Sequence, residues 1–277
     1  MLGGGGSLGA AQVGMLEALV EVGVFADLVA GTSIGAINGA LVAADPVGAA
    51  NRLSHLWREL DVDQILPTTF ARRVRALIRP GTTLYDSPRI SELIRREVGV
   101  ADISELAIPY LAMTVDADTT EPVVLDSGPL LSAMLASSAI PGVFPAITRD
   151  GRDFFDGGLR VNVPIRQALD QGARSLVVLD CSFPGQPISR PANLPEAVMY
   201  AFMIQLRQQV SRDLPVAARE VPVLAVPGPP PAAVSPLDFT GALPLIASGY
   251  RAAREFLAKV AVDGPGLYDA DRVDADR

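Results

Sequence analysis

The sequence contains one cysteine, one histidine and one lysine, and each scarcity excludes a kind of site. The single cysteine, Cys181, excludes an internal disulfide framework and suits a reducing compartment. The single histidine, His55, falls on a predicted helix early in the chain, whereas an α/β-hydrolase places its histidine late. His55 is therefore expected to be a structural or surface residue, and a Ser-His-Asp triad is not expected.

Positive charge and uninterrupted apolar sequence are also scarce. Arginine and lysine total 23 against 31 acidic residues, and this net charge of −8 argues against a nucleic-acid partner, because phosphate binding needs a basic surface. The longest apolar stretch, 25–44, is interrupted by Asp27 and by glycines, so it is not expected to span a membrane. Nothing at the start resembles a signal peptide. These features predict a cytoplasmic globular protein.

Glycine, in contrast, is concentrated in two stretches near the N-terminus. Residues 3–9 read Gly-Gly-Gly-Gly-Ser-Leu-Gly, and residues 31–35 read Gly-Thr-Ser-Ile-Gly. The second stretch has the Gly-x-Ser-x-Gly form of a nucleophile elbow, in which serine occupies a sharp turn between a strand and a helix. A short apolar run at 28–30 and a small-residue helix predicted over 34–44 supply that context.

We therefore predict that Ser33 is a nucleophile. Gly31 and Gly35 flank it and let neighbouring backbone approach without a Cβ clash. Backbone amides at the start of a helix can hold developing negative charge, as an oxyanion hole requires. The amides assigned to this role are those of Gly4, Gly5 and Gly6.

A serine hydroxyl is a poor nucleophile until a base removes its proton. Lys259 is far from either motif, so a carboxylate is expected as the base. Asp156 stands out because it follows two phenylalanines and precedes Gly157 and Gly158. An Asp-Gly pair also marks simple turns, as predicted at 150–151, and the spacing alone leaves both interpretations open. Burial beside the phenylalanines would raise the pKa of Asp156 from about 4, as a base at neutral pH requires.

A dinucleotide site is an alternative use of the first glycine stretch. Gly4-x-Gly6-x-x-Gly9 fits the dinucleotide fingerprint, and Asp27 is near the position of the ribose-binding acid. A Rossmann domain needs a full strand before the loop, yet only two residues precede it; a start recorded a few residues late would explain this. The dinucleotide interpretation gives the stretch 31–35 no role, whereas the oxyanion interpretation uses both glycine clusters.

Strand-like and helical patterns alternate along the chain and indicate an α/β sheet with helices on both faces. No repeat or linker is evident, so a single domain is predicted over 1–262. The segment 263–277 contains five aspartates and few apolar residues, and a disordered acidic tail is expected there.

Residues 70–96 carry seven arginines against two acidic residues, Asp86 and Glu92, and Glu97 follows directly. Apolar residues at helical spacing among the arginines are compatible with a peripheral contact to anionic lipid. A solvated helix face with snorkelling arginines is the alternative, and it is the favoured one.

Taken together, these motifs resemble the patatin-like phospholipase family of serine acyl-hydrolases. The similarity rests on four segments in the family order: the glycine loop 3–10, the elbow 31–35, the proline-bearing loop 136–145, and Asp156-Gly157-Gly158 with Asn162 and Pro164 after it. Family members commonly carry arginine or lysine in the glycine loop, where this chain has Leu8. The difference leaves backbone amides as the only oxyanion donors.

The resemblance implies a three-layer α/β/α sandwich with a mostly parallel central sheet. It also implies a Ser33–Asp156 dyad that hydrolyses lipid acyl esters without a metal or other cofactor. The partner implied is a lipid or acyl-ester substrate; the sequence gives no indication of oligomeric state. A lipid- or acyl-binding protein that keeps this fold without turnover is the second hypothesis.

Overall fold

The computed structural model describes residues 1–60, 88–230 and 235–275. Within these ranges the chain alternates between helices and strands, as its sequence pattern predicts. The helices are α1 (Ala10–Glu21), α2 (Ile34–Ala44), α3 (Ala49–Glu59), α4 (Pro88–Val98), α5 (Leu130–Ser137), α6 (Ile165–Asp170), α7 (Leu194–Ala217), α8 (Ala242–Leu257) and α9 (Ala270–Ala275). The strands are β1 (Val29–Thr32), β2 (Tyr110–Asp116), β3 (Pro122–Leu125), β4 (Ile147–Arg149), β5 (Arg152–Asp156), β6 (Leu176–Val178), β7 (Pro222–Ala225) and β8 (Gly266–Tyr268).

The first residues of the chain join two groups of strands into one sheet. Leu2 pairs in parallel with Gly31 of β1 on one side and with Leu179, just after β6, on the other. The pairs β1–β2, β6–β7 and β7–β8 are also parallel, whereas β3, β4 and β5 form antiparallel pairs. The sheet is therefore mostly parallel, and the two residues before the glycine loop are enough to occupy a strand position.

Strand β2 determines where two chain segments meet. Its Ala112 pairs with both β1 and β3, and its Thr114 pairs with both β3 and β5. Because a strand has two edges and β3 takes one of them, β1 and β5 share the other. They approach from opposite directions, and Thr32 at the end of β1 pairs with Met113 while Asp156 at the end of β5 pairs with Thr114.

The two faces of the sheet are covered by different helices. Leu176 and Val178 of β6 belong to one apolar core and Val177 to the other, since side chains alternate across a strand. Helices α1, α2, α3 and α8 pack against each other in the larger core, and α6 packs with the C-terminal part of α7 in the smaller one. The fold is a three-layer α/β/α sandwich, as the family resemblance implies.

Helix α3 begins at Ala49, because the Asp45 side chain accepts a hydrogen bond from the Gly48 N–H (2.9 Å) and holds the preceding residues in a turn. One expectation from the sequence needs correction. The disordered tail expected from residue 263 is wrong for 266–268, which form β8 beside β7. Tyr268 of this strand is buried, and its ring contacts the Arg272 guanidinium 4.2 Å away.

Residues 70–87 of the arginine-rich segment lie outside the described residues. Its remainder falls in α4, where Arg96 forms ion pairs with Glu59 (2.9 Å) and Glu97 (2.8 Å). A peripheral lipid contact of this segment stays a prediction. Within the described ranges, no helix combines the length and apolar character needed to cross a bilayer.

Candidate active site

Ser33 occupies a strained turn between β1 and α2. Its φ of 57° and ψ of −129° are rarely adopted by a residue with a side chain, and such strain concentrates at functional sites. Gly35 explains part of the sequence requirement, because a Cβ there would lie 2.2 Å from the carbonyl oxygen of Leu2. Gly31 lies in β1, one residue before the strand ends at Thr32 and the turn begins. The sharp strand-to-helix turn predicted from Gly-x-Ser-x-Gly is therefore present.

A second serine, Ser137, stabilises this turn through two hydrogen bonds. The Ser33 backbone N–H donates a hydrogen bond to Ser137 Oγ (3.0 Å), and the Ser137 hydroxyl donates to the Met113 carbonyl (2.6 Å). Ser137 is fully buried at the end of α5, in the segment 136–145. The backbone of Ser33 is thus anchored to β2, the strand that also pairs with Asp156.

Asp156 is fully buried at the end of β5. Its Oδ1 accepts a hydrogen bond from the backbone N–H of Gly158 (2.8 Å), which lies with Gly157 in the 3₁₀ turn that follows. Its Oδ2 is buried and has no hydrogen-bond partner among the described residues. A buried carboxylate oxygen without a donor is costly, so this atom is one that a proton would stabilise.

Burial is the main cause that raises the pKa of Asp156 from its ordinary 3.8 to about 7. The Ser33 hydroxyl and the Gly158 N–H act in the opposite direction and limit the rise. The Ser33 hydroxyl is therefore close enough to influence the carboxylate, although Oδ2 completes no hydrogen bond with it. A carboxyl group with a pKa near neutrality exchanges protons readily at physiological pH.

The glycine loop approaches Ser33 directly, since a Cβ on Gly4 would lie 3.0 Å from the Ser33 Cβ. The three predicted donors are not equivalent. The Gly4 N–H already donates to the side-chain oxygen of Asn162 (2.7 Å). The N–H groups of Gly5 and Gly6 donate no hydrogen bond to any other described residue, which leaves these two amides as the candidates for an oxyanion hole.

Beside Ser33 lies an apolar cavity of about 100 Å³. Its wall is formed by one face of α2 together with side chains of α3, α4, α7 and the loop before α8. Apart from Ser33 it is lined by Gly6, Ile34, Ile37, Asn38, Leu56, Trp57, Leu60, Ile94, Ser138, Ile140, Phe144, Met199, Pro236, Leu237 and Phe239. A lining of this kind suits a hydrocarbon chain.

Three buried polar side chains connect the cavity wall to the glycine loop. Trp57 donates its indole N–H to Asn38 Oδ1 (3.1 Å), and Asn38 Nδ2 donates to Gln12 Oε1 (2.8 Å) and to the Gly9 carbonyl (3.0 Å). Gln12 Nε2 in turn donates to the Gly3 carbonyl (2.9 Å). Sequence reasoning missed this network, and its clearest signal was Asn38 inside the otherwise apolar helix α2.

Three residues that the sequence analysis weighed for other roles, namely two alternative bases and the acid of a dinucleotide site, lie away from Ser33 and Asp156. His55 is exposed on α3, and Lys259 is exposed after α8, where it pairs with Glu255. Asp27, the acid of the dinucleotide alternative, is exposed before β1. Within the described part of the chain, no cluster of three or more metal-ligating side chains occurs.

Comparison with known proteins identifies the origin of this arrangement. The family model "Patatin-like phospholipase" matches residues 1–169, which contain the glycine loop, Ser33 and Asp156. Patatin-like phospholipase domain-containing protein 7 of Mus musculus is 33% identical over 183 residues, which cover 65% of this chain and 13% of the mouse protein. Patatin-like phospholipase domain-containing protein 6 of Homo sapiens is 33% identical over 182 residues, with the same coverage.

Neuropathy target esterase sws of Drosophila melanogaster is 29% identical over 183 residues, which cover 65% of this chain and 12% of the fly protein. Among solved structures, VipD from Legionella pneumophila is 14% identical with a TM-score of 0.45, over 78% of this chain and 52% of that one. The present chain thus spans about an eighth of the curated relatives' length. Since the family model covers more than half of the chain, and covers the part that builds the serine elbow and the buried aspartate, the chain belongs to the patatin-like phospholipase family.

Proposed function

We propose that the protein is a serine-dependent hydrolase of lipid acyl esters. The proposal rests mainly on one observation. Ser33 lies on a strained turn beside Asp156, and the buried carboxyl group of Asp156 has a pKa of about 7. The family relationship supports it, because relatives of this chain are named as phospholipase-domain proteins and as an esterase.

In the first half of the proposed reaction, Ser33 Oγ attacks the ester carbonyl carbon while its proton passes to Asp156 Oδ2. The negative charge moves to the carbonyl oxygen, where the N–H groups of Gly5 and Gly6 stabilise it. Collapse of this intermediate breaks the bond to the alcohol oxygen. The alcohol leaves with the proton from Asp156, and the acyl group remains on Ser33.

In the second half, a water molecule attacks the acyl carbon and gives its proton to Asp156. The carboxylic acid leaves when the bond to Ser33 Oγ breaks, and Asp156 returns the proton to that oxygen. Asp156 thus acts as base and then as acid in each half, which its near-neutral pKa favours.

The cavity beside Ser33 is the proposed site for the acyl chain. Its walls are apolar, and Ser33 lies at the N-terminus of α2, whose Ile34, Ile37 and Asn38 line it. Burial of each methylene of an acyl chain contributes about 0.8 kcal/mol, so the cavity supplies binding energy without polar recognition. The size and shape of the cavity therefore determine which acyl chains the protein accepts.

Labelling by a fluorophosphonate tests the proposal, because the reagent modifies only an activated serine. We expect one covalent adduct, located on Ser33 by mass spectrometry of peptides, and no adduct in Ser33→Ala. Labelling of Asp156→Asn should also be lost, because the proton acceptor is removed. A folded wild-type protein without an adduct would support the second hypothesis, acyl binding without turnover.

Trp57 is expected to limit acyl-chain length. Its ring is buried against the cavity, stacks on Phe239 at 5.9 Å between centroids and donates to Asn38. Trp57→Leu should shift kcat/KM for a series of p-nitrophenyl esters toward longer chains and lower the free energy of unfolding by roughly 2 to 5 kcal/mol. Phe25→Leu, at an exposed aromatic residue before β1, is the control. An unchanged preference in Trp57→Leu would contradict the role.

A further inference from the structure

Helix α7 holds the loop that follows Asp156 through two glutamines one turn apart. Gln209 Nε2 donates to the Gly158 carbonyl (2.9 Å), and its Oε1 accepts from the Asn162 N–H (2.7 Å). Gln205 donates to the carbonyl of Leu159 between them. Gln209 is buried, so one amide side chain closes the loop 158–162 from both ends.

Each end of this loop also contacts one half of the candidate active site. At one end, the Gly158 N–H donates to Asp156 Oδ1 (2.8 Å). At the other, Asn162 Oδ1 accepts from the Gly4 N–H (2.7 Å), and Asn162 Nδ2 donates to Asp180 Oδ1 (3.3 Å). The loop is therefore a continuous hydrogen-bonded link from the buried carboxylate to the glycine loop.

We propose that Gln209 is a positioning residue that fixes the Asp156 carboxylate and the glycine loop relative to each other. The inference rests on the proposed function, because it assigns Gln209 a role in that reaction. Gln209 does not line the cavity beside Ser33 and acts only through Gly158 and Asn162. It also lies outside residues 1–169, so the family match does not assign it a role.

Loss of the amide has two consequences. The Gly158 carbonyl and the Asn162 N–H lose a buried partner, and the loop relaxes to find another. The Gly158 N–H then holds Asp156 less well, and since this bond lowers the pKa of Asp156, that pKa rises further. Release of Asn162 also loosens Gly4, and small displacements of this kind cost up to about 100-fold in rate.

The test compares Gln209→Leu with Gln208→Leu, a control at the neighbouring exposed residue of α7. With a soluble short-chain p-nitrophenyl ester, we expect Gln209→Leu to lower kcat by about 10- to 100-fold with little change in KM. The acid limb of its kcat/KM profile should move to higher pH. A residue that merely supports folding would lower the active fraction without moving this limb.

Carboxyl-carbon NMR titration of Asp156 gives a readout independent of turnover. We expect its pKa to be higher in Gln209→Leu than in wild type and unchanged in Gln208→Leu. Should Gln209→Leu not fold, Gln209→Met, which is closer in shape, is titrated instead. Equal kcat and equal Asp156 pKa in the Gln209 and Gln208 variants would overturn the inference.

The two proposals fail in different ways. If wild type hydrolyses esters no faster than Ser33→Ala, the proposed function is wrong. The NMR titration still decides whether Gln209 positions Asp156. If wild type is active and only the Gln209 effect is missing, the inference alone is wrong.

Discussion

Ser33→Ala is expected to lower kcat for ester hydrolysis by about 10⁶-fold, the order of loss found when a serine hydrolase loses its nucleophile. The reason is geometric as well as chemical. Ser33 is the residue that the strained turn presents to the cavity, with the buried carboxyl group of Asp156 beside it. Alanine removes the attacking oxygen and leaves the cavity walls in place.

The measurement is steady-state hydrolysis of p-nitrophenyl esters, combined with binding of a non-hydrolysable acyl ligand. Binding should persist in Ser33→Ala because the apolar lining is unchanged. Ser54→Ala is the matched control, since this serine lies on α3 and donates its hydroxyl to Glu17 (3.0 Å), away from the cavity. Ser33→Ala with wild-type kcat would exclude Ser33 as the nucleophile.

The sequence was most informative where a short motif demands an unusual backbone. Gly35 lies where a side chain would collide with the Leu2 carbonyl, so glycine is required there and the elbow was predictable. The α/β pattern was predictable for a similar reason, because buried strands and amphipathic helices leave distinct periodicities.

Partners of buried polar groups were less predictable, because tertiary structure alone brings them together. The glycine loop suggested three equivalent amide donors, but Asn162, which is remote in sequence, takes the Gly4 N–H. Gln209 is more remote still, and no local pattern marks it. Strand β8 was missed because three residues are too few to show alternation, and its stability comes from pairing with β7 and burial of Tyr268.

The competing interpretations of Asp156 illustrate the same limit. As a sequence, Asp-Gly at 156–157 and Asp-Gly at 150–151 look alike. In the structure Asp150 is the hairpin turn between β4 and β5, with a φ of 50°, whereas Asp156 is the buried end of β5. Burial is what distinguishes Asp156, whose pKa is about 7, from the turn residue Asp150. The two could not be told apart from local sequence, because burial depends on the whole sheet.

Asp156→Asn is expected to abolish most ester hydrolysis and at the same time to stabilise the protein at alkaline pH. Activity falls because asparagine cannot accept the Ser33 proton. In the wild type, kcat/KM should rise with pH through about 7, as Asp156 ionises. Asp153→Asn, at an exposed residue of the same strand, should keep the wild-type rate and profile.

The effect on stability follows from the direction of the pKa shift. The folded protein holds the Asp156 proton up to about pH 7, whereas the unfolded chain releases it near 3.8. Because the folded protein binds this proton more tightly, proton binding stabilises the fold. This stabilisation is fully present below the unfolded pKa and is lost as pH rises through the folded pKa. Three pKa units correspond to about 4 kcal/mol, so wild type loses up to that amount relative to Asp156→Asn between pH 4 and pH 9.

Urea denaturation of wild type, Asp156→Asn and Asp153→Asn at pH 5, 7 and 9 measures this difference directly. Wild type and Asp156→Asn share every other titrating group, so the contributions of those groups cancel in their comparison, and Asp153→Asn shows the effect of removing an exposed carboxyl group. A constant difference between wild type and Asp156→Asn at all three pH values would mean that Asp156 has an ordinary pKa and is no poised base. A difference that grows with pH, together with lost activity, would mean that the buried Asp156 carboxylate lowers the stability of the protein and is also the group that accepts the proton of Ser33.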